Sequence, residues 1–451
     1  MKKLNQLEES KFLKLFFAAI SLCFVIAAFI MPDRADAFTG LWKILTGTCK
    51  ISTNYFALGG FAATFLNMGL VGLVCTALCF LPGAKPNNVT TLGVLLTLGF
   101  GAWGINPLNM IPSVLGVALY CLVKKEKLGA MSNAMMYSTG IAPLISDLLF
   151  RYPGVEYVGF NWLGLGLALF IGLVIGFFLP AGLAHAPNIH KGYNHYSAAV
   201  PIGFTAFFLR AMLYNVMLGQ KTADLSTLAA LDVQSWSMTN IFCFVVFGLC
   251  IVAALLMGCK PKDYLALMKD SGHGVCFTAK YGNAPFLMNV GVFGLMIVAY
   301  FNLAGAIDGK EVWTGMTFGI VFCMLATCNS GSHPGNVWPI MVGYILTSYL
   351  FGWINGLLGG SFALTIGNQS ILIGLCYANG LSPVAGKYGF GYGILAGGLH
   401  YLLVTAVPDM HGGFCLYNGG LTAALICLLL VPQLEKFCKT KEERAIAKAA
   451  K

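Results

Sequence analysis

The sequence predicts an all-α polytopic membrane protein made of two inverted structural repeats. Each repeat has about five spans plus a re-entrant broken-helix hairpin. Three observations predict this. Hydrophobic residues make up 58% of the chain and charged residues 10%, with a mean hydropathy of +0.77. A soluble domain carries roughly a quarter charged residues to cover its surface. Second, a set of polar motifs occurs twice in the same order. Third, a basic excess flanks the first copy and is absent from the matching flanks of the second.

The chain starts with a basic stretch (Lys2, Lys3, Lys11, Lys14), then an apolar run from Leu15 to Met31. The Ala35-Asp36-Ala37 beyond it imitates a signal-peptidase site. The run is long for a signal and has a counterpart from about Ile241 to Met257, so it reads as the first span. An amphipathic segment with Lys43 and Lys50 follows and belongs at the interface. Phe56 to Leu81 is long enough to cross and carries Asn67-Met68-Gly69, repeated later as Asn289-Val290-Gly291.

Two apolar limbs come next, Thr90 to Trp103 and Met110 to Val123, each shorter than the ~20 residues of a spanning helix. Between them lies Gly104-Ile105-Asn106-Pro107-Leu108-Asn109, matched by Gly331-Ser332-His333-Pro334-Gly335-Asn336. Leu128 to Phe150 carries Tyr137-Ser138-Thr139-Gly140 and Pro143, matched by Tyr377-Ala378-Asn379-Gly380 and Pro383. After a span from Trp162 to Pro180 comes Pro187-Asn188-Ile189-His190, matched by Pro408-Asp409-Met410-His411. These matches divide the chain into a first repeat (1–219), an external linker (220–235), a second repeat (236–432) and a basic cytoplasmic tail (433–451).

Charge sets the orientation. Lys85 and Lys124-Lys125-Glu126-Lys127 flank the first broken pair, which places that side in the cytoplasm. The matching flanks, Asp308 to Glu311 and Gly352 to Gly360, have no basic excess and read as external. The second half is therefore upside down, both termini are cytoplasmic, and the chain is expected in the cell inner membrane. The net charge of +10 reflects this bias and anionic headgroups rather than nucleic acid.

The broken tips are the leading candidate site. Pro107 and Pro334 each remove a backbone donor and free carbonyls and amides. Bare backbone at membrane depth is tolerated where protein or water surrounds it. Asn106, Asn109, His333 and Asn336 add side chains that donate and accept, with Tyr137, Ser138, Tyr377, Asn379, Asn67 and Asn289 beside them. Asp147, His190, Lys387, Asp409 and His411 are the candidates for proton or ion coupling. Lys387 stands where the second half matches Asp147. The 15 cysteines are scattered through apolar runs and form no zinc spacing. No metal, cofactor or nucleotide loop is expected.

These features lead to a transporter of a small polar solute, with the bilayer as its other partner and room for a homo-oligomer. The alternatives are a proton- or sodium-coupled carrier of a small organic anion and a passive channel. From another class come an integral-membrane enzyme, with the His-rich loops catalytic, and an assembly subunit. The whole chain resembles a group of bacterial multi-pass proteins described only as a domain of unknown function, which implies no activity. Each half is also similar to a urea-transporter repeat. The features are the Asn67 and Asn289 spans, the Tyr137 to Gly140 and Tyr377 to Gly380 half-helices, and the Pro187 and Pro408 spans. That resemblance implies inverted halves with a solute path between them. Urea transporters carry Asn-Pro where this chain has Asn67-Met68 and Asn289-Val290.

Overall fold

The computed structural model describes residues 1–48, 53–154, 159–219 and 236–450. Among these residues the chain is helical without strands, and eight helices are long and apolar enough to cross a membrane. The protein is an all-α polytopic membrane protein. The linker expected at 220–235, and Lys50 of the amphipathic segment, lie outside the described residues.

The first half contains α1 (Glu9–Ala28), α2 (Ala37–Thr46), α3 (Phe61–Leu78), α4 (Asn88–Phe100) and α5 (Ile111–Lys124). It continues with α6 (Ser132–Ser138), α7 (Ala142–Phe150), α8 (Trp162–His185) and α9 (Ala199–Arg210). The second half contains α10 (Trp236–Leu256), α11 (Pro261–Met268), α12 (Asn283–Asp308), α13 (Gly315–Leu325) and α14 (Pro334–Leu357). Then come α15 (Gln369–Ala378), α16 (Ser382–Tyr388), α17 (Phe390–Val404) and α18 (Asn418–Phe437). A last helix, α19 (Lys441–Ala449), follows. The first half thus supplies α1 to α9 and the second α10 to α18.

Local chemistry repeats with the order. At the start of α4, Asn87 Oδ1 accepts from the Thr90 N–H while Thr90 Oγ1 accepts from the Asn87 N–H. At the start of α13, Thr314 and Thr317 exchange the same two bonds. Both are capping boxes that satisfy orphan amides at a helix start. The short limbs are confirmed for α4 and α5, with 13 and 14 residues. The second pair differs: α13 has 11 residues but α14 has 24, enough to cross. Pro334 at the first position of α14 has its ring-fixed φ suited to a helix start. The α18 helix runs through Pro432 to Phe437, beyond the boundary expected from sequence.

In a bilayer, lipid is as apolar as leucine, so helices associate through close packing of small residues. The pairs α5–α8 and α14–α17 do this at equivalent places. A Cβ on Gly116 would lie 2.4 Å from Leu173 O, and one on Gly343 would lie 2.3 Å from Ile394 O. The two halves meet where α4 packs against α13. A Cβ on Gly99 would lie 2.5 Å from Gly319 O. The pair is antiparallel: Asn329, past the end of α13, donates to Thr91 in the first turn of α4 at 3.1 Å. At the other end, Gly315 at the start of α13 abuts the carbonyl of Ala102, past the end of α4. Phe24, Phe65, Phe242 and Phe318 fill the space beside the crossing, with ring centroids 4.6 to 6.1 Å apart.

Candidate functional site

Each break is clasped by its own side chains. Asn109 Oδ1 accepts from the Asn106 N–H, and Asn106 Oδ1 accepts from the Asn109 N–H, both at 2.9 Å. In the second break Asn336 Oδ1 accepts from the His333 N–H at 3.0 Å, and His333 Nδ1 accepts from the Gly335 N–H at 3.1 Å. An accepting Nδ1 leaves the ring proton on Nε2, which donates to Asp270 O at 2.9 Å. The carbonyls freed by the breaks are met from the neighbouring span. Asn67 Nδ2 donates to Gly101 O and Ile105 O, and Asn289 Nδ2 donates to Cys328 O and Ser332 O. All six side chains are buried.

The breaks face different ends of the molecule. Asn106 Nδ2 donates to Ile44 O in α2, while His333 reaches Asp270 just past α11. Each break thus docks on the amphipathic segment of its own half. The described residues show no hydrogen bond between Asn106 or Asn109 and His333 or Asn336.

The structure brings the halves together at a second pair of interruptions, the tight turns Thr139–Ile141 and Asn379–Leu381. Here the contacts are reciprocal. The Leu416 N–H donates to Gly140 O at 2.9 Å, and the His195 N–H donates to Gly380 O at 3.1 Å. The Tyr417 ring lies over Gly140 and the Tyr196 ring over Gly380, so close that a Cβ would fall 2.4 and 2.6 Å from a ring carbon. Each half thus lends the other's turn a backbone N–H and a tyrosine ring. Tyr196 donates toward Cys323 O and Cys376 O, while Asn379 Nδ2 donates to Met324 O and Thr327 Oγ1. Tyr137 is bonded to Val89 O and Ser138 to Met135 O. These side chains fill the centre.

The charged candidates separate. Asp147 forms an ion pair with Arg151, one turn on, and accepts from the Tyr214 hydroxyl. Tyr214 is delivered by a wide π-turn, Ala211–Val216, at the end of α9. Lys387 instead lies 5.2 Å over the Tyr193 ring. The two therefore occupy different clusters. His190 Nδ1 accepts from the Gly192 N–H, so Nε2 carries the proton it shares with Ser197 Oγ at 2.7 Å. A general base for Ser197 would need that nitrogen bare. His411 Nδ1 likewise accepts from the Cys415 N–H, and its Nε2 is buried without a partner.

Beside the reciprocal turns lies a cavity of about 250 Å³. Trp103, at the end of the first short limb, forms one wall. The second half supplies Gln369, Tyr377, Asp409, Leu416 and Asn418. Leu416 is the joint: its N–H bonds to Gly140, and its carbonyl accepts from the Tyr377 hydroxyl at 2.6 Å. Of the residues singled out in the sequence, Tyr377 and Asp409 reach this cavity. Trp103, Gln369 and Asn418 were missed as site residues. The one signal for Asn418 was its place in the stretch after His411.

Comparison with the curated proteins and with the solved structures finds no match. The expected likeness to urea transporters is not shown by these comparisons. A family model described as "Protein of unknown function (DUF1576)" matches residues 33–217 and 261–436, one region in each half. Those regions cover most of the chain, and the protein belongs to the DUF1576 family.

Proposed function

We propose that the protein is a transporter for a small polar solute, working by motion of one half against the other. The observation that carries this is Leu416. It lines the cavity and also holds the hydrogen bonds that join the interrupted helices of both halves. A solute that disturbs Leu416 or Tyr377 acts directly on the contact between the halves. The antiparallel α4–α13 crossing and the reciprocal Gly140 and Gly380 contacts support the inverted-repeat reading, which suits alternating access. The buried rings of Tyr196, Tyr377 and Tyr417 fill the centre. A carrier, which separates and reseals these rings, fits this better than an open channel. The Nε2 proton of His190 argues against a Ser197 hydrolase and favours transport over an enzyme.

In this reading the asparagines of the breaks are structural, and the side bearing Lys124 to Lys127 is cytoplasmic. The test is flux through purified full-length protein in proteoliposomes. Osmotic swelling would be followed with glycerol, urea, ethanolamine, acetate and alanine. Swelling by at least one solute that falls in Leu416→Trp supports the proposal. Rates equal to empty liposomes for the whole panel contradict it.

A further inference from the structure

We infer that the Lys191-Gly192-Tyr193 turn is a latch that shuts the path between the halves at the end of the molecule away from the Tyr377 cavity. This deepens the transport reading and rests on it for what the latch gates. The turn belongs to the first half, and the second half grips it. His273 Nε2 donates to Lys191 O at 2.9 Å. Lys191 Nζ pairs with the Glu435 carboxylate. The Tyr193 ring packs on His273 with ring centroids 4.5 Å apart, and its hydroxyl meets that of Tyr388 at 3.4 Å. Lys387 adds its ammonium 5.2 Å from the same ring. The grip runs on into the interior, where His195 Nε2 and Ser382 Oγ lie 3.4 Å apart and Ser382 is bonded to Ser332. Ser382 is fully buried.

The backbone sets this turn apart from its match. Lys191 and Gly192 are both left-handed, with φ of 49° and 80°. A side chain at such a φ is uncommon and persists where its surroundings hold it. In the second half Gly412 and Gly413 take the same two places, with φ of 63° and 78° and no side chain. The next residue there, Phe414, stacks on Tyr214 at 5.6 Å. One turn is therefore tied across the halves by charge, and the other is closed by rings alone. The cavity lies beside the glycine version, where Pro408, Leu416 and the exposed Asp409 line it. Helix α18 joins the two places. It starts with Asn418 at the cavity and carries Glu435 near its end, about 25 Å away at ~1.5 Å per residue. The latch lies on the Lys124 side, because α8, which leads to it, runs parallel to α5. A Cβ on Gly172 would meet Pro112, and Phe177 meets Tyr120 further along both helices. The structure is thus shut at Lys191 and open at Asp409.

The reporter is Ser382→Cys in the full chain, in a background without reactive thiols, purified in detergent and treated with methyl methanethiosulfonate. This reagent is small and neutral, so a change of charge at the latch does not alter its approach. With the latch intact, labelling should be slow. Lys191→Glu sets two carboxylates against each other and should speed labelling about threefold or more, the scale of an exposed ion pair. Adding Glu435→Lys should restore the slow rate, which lost packing would not do. Lys191→Gly suits the left-handed φ while removing the ion pair, so it should label faster with no loss of folded protein. Fast labelling with the latch intact, equal rates in all these variants, or no rescue by the charge swap would overturn the latch. Ser370→Cys, exposed on the cavity, reads the other end. Slower labelling there in Lys191→Glu supports a latch that opens one end as the other closes. An unchanged rate at Ser370→Cys, with Ser382→Cys behaving as expected, would uphold the latch and contradict alternating access.

Discussion

At the residue scale, the asparagines in and beside the breaks act as substitutes for missing backbone partners. Asn67 and Asn289 each tie two buried carbonyls. Removing the amide leaves both unpaired, at about 1–3 kcal/mol for each buried group. Asn67→Ala and Asn289→Ala should therefore lower the unfolding temperature in detergent, and an unchanged midpoint would show that water replaces them. Asp270, in the loop that receives His333, adds a pH effect. Burial alone would raise its carboxyl, but hydrogen bonds from Lys280, the Gly272 N–H and Tyr281 outweigh this and hold it below the usual range. A depressed carboxyl stabilises the fold above its unfolded pKa of about 4 and loses that contribution as pH falls below it. Asp270→Asn should flatten the acid limb of a stability-against-pH curve, and an unaltered limb would contradict this role.

At the element scale, the close approaches set what the helices tolerate. Gly99 meets the Gly319 backbone, where the obstruction is a carbonyl and not a flexible side chain. Gly99→Leu should cost folded, monodisperse protein, whereas Gly391→Ala, which has nothing within 4 Å, should not. Equal yields would remove the α4–α13 crossing from the account. The elements were the most legible part of the sequence. Proline and glycine mark where helices must stop, and apolar length marks which can cross, so the short limbs and the paired Asn67 and Asn289 spans stood out. The length of α14 did not, because Gly352 and Gly356 read as a loop although the helix continues through them. The cavity was illegible for a different reason. Trp103 and Asn418 are brought together only by packing between halves, and no local pattern records that.

At the scale of the whole molecule, the account rests on two similar halves set in opposite directions around the Gly140 and Gly380 turns. Each half seats a tyrosine on the other's glycine, so neither turn is complete alone. Tyr377→Phe, which cuts one bond between the cavity and Leu416, should change flux while shifting the unfolding midpoint little, since one hydrogen bond is worth about 0.5–1.5 kcal/mol. A large loss of stability would assign Tyr377 to packing instead. Opposed orientation is tested most directly by labelling single cysteines, placed at Glu126→Cys and Leu358→Cys in a background without reactive thiols, with a membrane-impermeant maleimide. These exposed positions follow the equivalent helices α5 and α14. The account predicts that Glu126→Cys is labelled only from the cytoplasmic side and Leu358→Cys only from the opposite side. Labelling of both from the same side would contradict it.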